Sequence, residues 1–200
     1  MRVLRKEDLL KDPFDQFAAW LEEAKRREKS ADAMCLSTVD LNGFPNGRFV
    51  LLNHFDRRGF VFYTDIRSTK GKSLSFLPKA ALTFYWAKLG HQVRIQGTTE
   101  LISGEEADRY FQTRPRLSRI AACASKQSEV LDDPSLFERR VSELIWRYRG
   151  RKIPRPSYWT GFRVKPLRFE FWNSRPYRLH DRFLYARGDR NRWAITQLYP

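Results

Sequence analysis

The sequence is poor in cysteine and histidine, and this limits the metal and redox sites that it can build. Its 200 residues include two cysteines, Cys35 and Cys123, and three histidines. The cysteines stand alone in apolar stretches, without a CxxC or Cys/His spacing, so neither a zinc site nor a disulfide framework is expected. Three histidines are too few for a multi-histidine metal centre. We therefore predict core thiols in a reducing compartment, and no metal.

Long apolar runs and the common nucleotide and hydrolase motifs are also missing. No stretch of 18 apolar residues occurs, and the charged N-terminus lacks the apolar segment of a secretory signal. The absence of GxGxxG, GxxxxGKS/T, HExxH and GxSxG argues against a Rossmann cofactor site, a P-loop, a zincin and an α/β-hydrolase. We expect a cytoplasmic protein without membrane segments, whose reactive atom comes from a bound cofactor.

Positive charge, by contrast, is abundant. The chain has 38 Lys and Arg against 23 Asp and Glu, a formal net charge of +15. This excess predicts anionic binding partners, which can be nucleic acid, an acidic membrane surface or phosphorylated small molecules. The best nucleic-acid candidate is the basic segment RYRGRKIPRPSYW. It lacks a recognition-helix pattern and repeated aromatic residues, so a solvated loop is the better interpretation and nucleic-acid binding is not expected.

The hydrophobic pattern predicts one domain over residues 1–200, with residues 1–11 as a flexible N-terminal arm. Apolar residues make up 42% of the chain and aromatic residues 14%, which is enough for one well-filled core. Helix starts are indicated at Asp12-Pro13, Ser68, Ser103 and Asp133-Pro134, and in the segment RPRLSRIAACAS. The remaining pattern predicts a mainly β fold with peripheral helices, a barrel whose strands cover residues 33–39, 48–52, 60–64, 80–86, 92–101, 162–172, 177–185 and 193–198.

The segment from Arg48 to Lys72 combines two of these strands with a capped helix start. If strands 48–52 and 60–64 pair as a hairpin, Arg48 and Lys70 meet at the N-terminus of the helix. A helix N-terminus flanked by an arginine and a lysine favours a phosphate. A solvated basic edge is the alternative interpretation.

A second candidate group lies on the predicted strand 177–185. Because side chains alternate along a strand, Arg178, His180 and Arg182 share one face, while Leu179 and Asp181 take the other. Two guanidinium groups around an imidazole form a surface that can bind an anion and carry a proton. A ladder of solvated cations on an exposed strand explains the same spacing.

A third group has helical spacing. Tyr110, Arg114 and Ser118 stand at i, i+4 and i+8, and would share one helix face, although Pro115 is expected to break that helix. A phenol, a guanidinium and a hydroxyl together suit a phosphate monoester. A polar stripe on the surface is the alternative.

Several of these runs together resemble one enzyme family. RFVLLNHFDRRGFVFYT, STKGK, GHQVRIQG, YFQTRPRLSRIAACASKQS, FEFW and RLHDRFLY follow in the order found in the pyridoxamine 5'-phosphate oxidases, over about residues 12 to 200. The resemblance implies a homodimer of FMN-binding split β-barrels with the flavin between the subunits. It also implies oxidation of pyridoxine or pyridoxamine 5'-phosphate to pyridoxal 5'-phosphate by hydride transfer from C4' to flavin N5. Dioxygen is the acceptor and gives hydrogen peroxide, with ammonia released from the amine.

The resemblance also implies roles for particular residues. The catalytic pair is Arg178 and His180, placed over the substrate ring opposite the flavin. The residues implied for FMN are Arg48, Phe49, Val50, Leu51, Leu52, Asn53, Tyr63, Thr64, Thr69, Lys70, Gln92, Gln127, Ser128, Trp172 and Arg182. Those implied for the substrate are Asn53, Tyr110, Arg114, Ser118, Arg178, Leu179 and His180.

Two positions depart from the family pattern. Asn53 stands where the pattern VLLK has a lysine, and Thr69 stands where the pattern S-R-K has an arginine. The loss of one lysine contact is expected to weaken substrate binding about ten- to a hundredfold, because a hydrogen bond to a charged group contributes about 1.5 to 3 kcal/mol. Flavin binding is expected to be affected less. The alternatives are a related flavin oxidase with another substrate and a non-catalytic basic binding protein.

Overall fold

The computed structural model describes residues 3–188 and 192–200, and this part of the chain forms nine strands and five helices. The helices are α1 (Pro13–Arg27), α2 (Thr69–Phe76), α3 (Gly104–Thr113), α4 (Arg116–Ala124) and α5 (Pro134–Arg147). The strands are β1 (Ala33–Val39), β2 (Pro45–Leu51), β3 (His54–Asp56), β4 (Gly59–Asp65), β5 (Lys79–Trp86), β6 (His91–Leu101), β7 (Trp159–Asn173), β8 (Asp181–Arg187) and β9 (Trp193–Leu198).

The nine strands form one antiparallel sheet in the order β2-β1-β5-β6-β7-β4-β3, with β8 on the remaining part of β7 and β9 on β8. β2 and β3 stand at opposite ends of this order, yet only Leu52 and Asn53 separate them in the chain. The amide of Leu52 donates to the carbonyl of Asp32, and the amide of Asn53 donates to the carbonyl of Val61. The sheet must therefore curl until its two ends meet, which forms a barrel.

Aromatic side chains fill the barrel, and α1 closes on them. α1 begins where the Asp12 carboxylate accepts a hydrogen bond from the amide of Phe14, with Pro13 at the first helical position. Its Phe17 is fully buried, with ring centroids 4.9 Å from Phe60 and 5.0 Å from Phe84. The predicted helix start at Asp12-Pro13 is thus confirmed, and so is a mainly β fold with peripheral helices.

The predicted hairpin of strands 48–52 and 60–64 is wrong. β2 pairs with β1, whereas β4 pairs with β3 and β7. The sequence pattern missed β3 because a strand of three residues is too short to show an alternation. The curl of the sheet, rather than strand pairing, brings β2 and β4 near each other.

The predicted strand 177–185 begins too early, because β8 starts at Asp181. Residues Pro176–Arg178 form a tight 3₁₀ turn in which Tyr177 and Arg178 have φ values of 58° and 61°. Pro176 has no amide proton for a strand ladder, and positive φ is incompatible with extended backbone. Arg178 and His180 therefore do not lie on a strand, and they do not share a strand face with Arg182.

The N-terminal segment contacts the barrel. The amide of Leu4 donates to the carboxylate of Asp181 at 2.9 Å, and Leu9 is buried. That residues 1–11 form a flexible arm stays a prediction. Cys35 and Cys123 are free and half-buried. Among the described helices, none has the length and apolar character needed to cross a bilayer.

Truncation of Phe17 tests this core. We expect Phe17→Ala to lower the free energy of unfolding by about 3–5 kcal/mol, since it opens a cavity among buried rings. Phe76→Ala, at the exposed end of α2, is the matched control and should change it by less than about 0.5 kcal/mol. Urea denaturation at one protein concentration measures both values. Equal losses in the two variants would show that α1 is not anchored through Phe17.

Candidate functional site

A cleft of about 950 Å³ lies between the curled edge of the sheet, the start of α2, the junction of α3 and α4, and the segment after α4. It brings together the strand 48–52, the helix start and the i, i+4, i+8 group. The predicted site residues that line it are Arg48, Phe49, Val50, Leu51, Leu52, Asn53, Tyr63, Thr64, Thr69, Lys70, Tyr110, Arg114, Ser118, Gln127 and Ser128.

Arg48 lies on β2, and the acceptors of its side-chain hydrogen bonds are uncharged. Its Nη1 donates to the carbonyl oxygens of Leu36 and Asn46 and to the hydroxyl of Thr38, at 2.8 to 3.1 Å. Burial lowers the pKa of Arg48. Because these three acceptors are uncharged, they orient the guanidinium without cancelling its charge.

Lys70 is held in the same way. Its Nζ donates to Gln127 Oε1 at 2.7 Å, to Thr64 Oγ1 at 3.1 Å and to Ser68 Oγ at 3.2 Å. Burial lowers the pKa of Lys70, and the positive charge of Arg48 lowers it further. Two nearby cations with neutral partners make this part of the cleft suitable for an anion.

The N-terminus of α2 opens beside Lys70. The Ser68 side chain caps the helix by accepting a hydrogen bond from the amide of Gly71, as predicted. Only glycine fits at position 71, because a Cβ there would lie 2.2 Å from the carbonyl oxygen of Ile66. Thr69 is the first helical residue and lines the cleft. The helix start therefore adds backbone amides to the two cations.

Arg114 lies where α3 ends and α4 begins. Pro115 separates the two helices, as expected, but Tyr110, Arg114 and Ser118 still line one cleft. The Arg114 guanidinium centre lies 4.8 Å from the ring centroid of Trp159. Its Nη1 is buried without a hydrogen-bond partner in the described part of the chain. A buried guanidinium nitrogen without a partner is costly, so a ligand acceptor at this point would satisfy it.

Three stacked rings support this end of the cleft. Tyr63 lies 4.0 Å from Tyr110 and 5.1 Å from Trp159 between ring centroids. Burial raises the pKa of Tyr63 to about 12, so its phenol stays protonated. The sequence prediction missed Trp159, because an aromatic residue at the end of a basic loop shows no pattern that distinguishes a site from a core.

The remaining predicted residues form a separate group at the other end of β7. Gln92 pairs opposite Trp172, and Trp172 pairs opposite Arg182 across neighbouring strands. The ring of Trp172 lies 4.6 Å from that of His180. Arg182 Nη2 forms an ion pair with Glu170 at 2.8 Å. None of these predicted residues lines the first cleft.

The turn at residues 176–178 presents the rest of this group. Arg178 and Leu179 are exposed, and His180 is half-buried. Leu179 and His180 line a smaller cleft of about 510 Å³, together with the C-terminal Tyr199 and Pro200. One chain therefore carries the predicted site as two groups. The first group lines the first cleft. The second group lies near the other end of β7 and consists of Gln92, Trp172, Arg178, Leu179, His180 and Arg182.

The two departures from the family pattern both lie on the first cleft. Asn53 Oδ1 is 2.9 Å from His54 Nδ1, and Thr69 occupies the start of α2. An asparagine amide can donate to a phosphate, but it brings no charge. Within the described residues, no group of three or more His, Cys, Asp or Glu side chains could hold a metal ion.

The comparisons with known proteins point to one family. A family model described as pyridoxamine 5'-phosphate oxidase matches residues 20–146, and a second, described as the pyridoxine 5'-phosphate oxidase C-terminal dimerisation region, matches residues 159–200. The chain is 49% identical over 190 residues to a pyridoxine/pyridoxamine 5'-phosphate oxidase of Caulobacter vibrioides, covering 94% of this chain and 85% of that one. It is 50% identical over 194 residues to the same enzyme of Bartonella quintana, covering 96% and 94%.

Solved structures support the fold. PhzG from Burkholderia lata, in complex with tetrahydrophenazine-1-carboxylic acid, aligns with a TM-score of 0.92 at 31% identity, covering 99% of this chain and 98% of that one. An FMN-binding protein of Nostoc punctiforme, related to pyridoxamine 5'-phosphate oxidase, aligns at 0.74 and 20% identity, covering 96% and 100%. The predicted split-barrel fold is thus confirmed, and the chain belongs to the pyridoxine/pyridoxamine 5'-phosphate oxidase family.

Proposed function

We propose that this protein is an FMN-dependent oxidase that converts pyridoxine or pyridoxamine 5'-phosphate to pyridoxal 5'-phosphate. Bound FMN would supply the hydride acceptor, its N5, for substrate C4', and dioxygen would take up the electrons to give hydrogen peroxide. With the amine substrate, water would supply the aldehyde oxygen and ammonia would be released. The observation that carries the proposal is the single cleft with two separate sets of phosphate-binding groups, one around Lys70 and one around Arg114. Nucleic-acid binding would instead need cations spread along an exposed surface, and does not require two sets of groups inside one cleft.

The set around Lys70 fits the phosphate of FMN. Arg48 and Lys70 supply two charges, and the N-terminus of α2 adds amide donors beside Thr69. The strand 48–52 and Gln127 supply backbone and amide groups for the rest of the flavin. The cleft volume lies within the range of about 300–1,000 Å³ that small-molecule sites occupy.

The set around Arg114 fits the phosphate of the substrate. Nη1 of Arg114 has no hydrogen-bond partner in the described structure, and Trp159 holds the guanidinium in place. Tyr110 and Ser118 bring hydroxyl groups to the same cleft. A phosphate monoester accepts hydrogen bonds from all three side chains, which orients the substrate ring by its phosphate end.

The active site in this proposal needs two copies of the chain, with FMN between them. Tyr63 pairs with Gly161 at one end of β7, and Arg182 pairs with Trp172 near the other. Extended strand rises about 3.3 Å per residue, so the two groups are up to about 36 Å apart along β7. Within the described structure, neither of the two clefts is lined by residues of both groups. In a homodimer, the second group of one subunit can face the first cleft of its partner.

Two further observations support the dimer. Phe49 and Leu51 are 78% and 61% exposed on the edge strand β2, which is a large apolar surface for an unpartnered strand. The C-terminal region matched by the family model, residues 159–200, also contains all of the second group except Gln92. Arg178 and His180 then lie over the substrate ring, where the guanidinium orients the ring and the imidazole can hold a proton near C4'.

A different substrate on the same scaffold is the second candidate. Asn53 brings no positive charge to the position where the family pattern has a lysine, and PhzG has been solved with a phenazine carboxylic acid that has no phosphate. Nη1 of Arg114, which has no hydrogen-bond partner in the described structure, favours the phosphorylated substrate. Turnover of pyridoxine 5'-phosphate and of unphosphorylated pyridoxine, compared side by side, separates the two candidates. The proposal includes a cytoplasmic location, in keeping with free Cys35 and Cys123.

Replacement of Arg114 tests the substrate site. Arg114→Ala should raise KM for pyridoxine 5'-phosphate about ten- to a hundredfold, because it removes a charged hydrogen bond to phosphate. The FMN content of the purified protein should stay unchanged. Arg109→Ala, which removes an exposed positive charge from α3, the helix that ends just before Arg114, is the control and should leave KM unchanged. An equal effect of the two variants would mean that only overall charge matters.

Replacement of Lys70 tests the flavin site. Lys70→Met should weaken FMN binding about tenfold or more, because it removes a partly buried cation from the phosphate end. Lys72→Met removes an exposed lysine from the same helix and should bind FMN like the unmodified protein. Quenching of FMN fluorescence on titration measures both dissociation constants. Unchanged FMN affinity in Lys70→Met would remove Lys70 from the site.

A further inference from the structure

Asp181 is a buried carboxylate next to the proposed catalytic residues Arg178 and His180. Neither the family resemblance nor the residue spacing in the sequence predicts a role for it. It is 4% exposed at the start of β8. Its Oδ2 accepts hydrogen bonds from the amide of Leu4 at 2.9 Å and from Asn173 Nδ2 at 3.1 Å, and its Oδ1 accepts from Arg175 Nη1 at 3.0 Å. Burial opposes ionisation, but these hydrogen bonds outweigh it and lower the pKa of Asp181.

The presence of a buried ion pair does not by itself mean that the pair stabilises the fold. Replacing a buried ion pair with apolar residues is often neutral or stabilising, since the cost of removing the charges from water offsets their attraction. The carboxylate of Asp181 therefore calls for another explanation. Its partners indicate one, because they come from two distant parts of the chain: Leu4 in the N-terminal segment, and Asn173 and Arg175 between the end of β7 and the 3₁₀ turn.

Arg175 connects Asp181 to His180. Its side chain is held by Asp181, while its backbone amide donates to His180 Nδ1 at 3.1 Å. An imidazole nitrogen that accepts a hydrogen bond carries no proton, so the neutral ring must carry its proton on Nε2. The position of Arg175 thus fixes both the orientation and the tautomer of His180.

The backbone of the turn needs such support. Tyr177 and Arg178 both have left-handed φ angles, which are unfavourable for residues with a Cβ and persist only where surrounding contacts hold them. On one side, the amide of Ser174 donates to the carbonyl of Gly90. On the other side, Asp181 anchors the start of β8 through the three bonds described above.

We propose that Asp181 is a positioning residue, which holds Arg175 so that its backbone amide keeps His180 in the Nε2-protonated tautomer facing the substrate. This inference rests on the proposed function for the role of His180 in turnover. The tautomer itself is a property of the resting protein and can be measured without a reaction.

The first experiment is ¹⁵N NMR of the imidazole rings in the FMN-loaded protein at about pH 8, where an unperturbed imidazole is neutral. The chain has three histidines, so His180→Gln assigns the signals of position 180. We expect one tautomer with the proton on Nε2, and a mixture of both tautomers in Asp181→Asn. A proton on Nδ1 in the unmodified protein would overturn the proposal, and so would an unchanged tautomer in the variant.

The second experiment is a double-mutant cycle on kcat for pyridoxine 5'-phosphate. Asp181→Asn should lower kcat about tenfold or more, with unchanged FMN content, because a small misplacement of a catalytic group is costly. Since Asp181 acts through His180, the same change should have no further effect in the His180→Gln background. If the two losses in kcat multiply in the double variant, Asp181 has a structural role that is independent of His180, and the proposal is overturned.

Two further variants complete the test. Asp133→Asn removes one carboxylate at the start of α5 and keeps a good helix cap, so it should change neither the tautomer nor kcat. If Asp181→Asn does not fold, Arg175→Ala removes the same ion pair while keeping the backbone amide, and it should also mix the tautomers. A pure Nε2 tautomer in an unmodified protein that does not oxidise pyridoxine 5'-phosphate would leave this positioning intact and would count against the proposed function alone.

Discussion

The pairing of β7 separates the two groups of predicted site residues within one chain. One edge of this strand pairs with β6 along most of its length, and the other edge pairs first with β4 and then with β8. β4 carries Tyr63 and Thr64 of the first cleft, and β8 follows the segment with Arg178 and His180. Because one rigid strand sets the positions of both groups, a single chain holds them apart, and the proposed site is completed by a partner subunit.

The distribution of charge follows from the same architecture. Several arginines pair with carboxylates, and the buried Arg163 is shared between Asp56 and Glu106. In the cleft, the hydrogen bonds of Arg48 and Lys70 go to neutral oxygens instead. A cation held by neutral groups keeps its field available to a ligand. In the proposed function, two phosphate sites use part of the net charge of +15, and the basic loop carries another part.

Local signals in the sequence were sufficient for the helix starts and most strands, because caps such as Asp12 and Ser68 act over three or four residues. The junction at Pro115 could be anticipated, but that Arg114 still faces the cleft depends on how α3 and α4 pack. Pro176 is a local signal for the late start of β8, because proline donates no ladder hydrogen bond. The false hairpin, in contrast, depends on long-range pairing, which no local pattern records. The role proposed for Asp181 was invisible for the same reason, since its partner Leu4 lies at the far end of the chain.

The most direct test is an anaerobic titration of the FMN-loaded protein with pyridoxine 5'-phosphate, followed by the visible absorption of the flavin. The account predicts that the band bleaches as substrate is added and returns when air is admitted. Bleaching only at high concentration would show that Asn53 weakens the phosphate site while the chemistry is retained. A flavin that stays oxidised at every concentration, in protein that binds FMN fully, would contradict the proposed reaction.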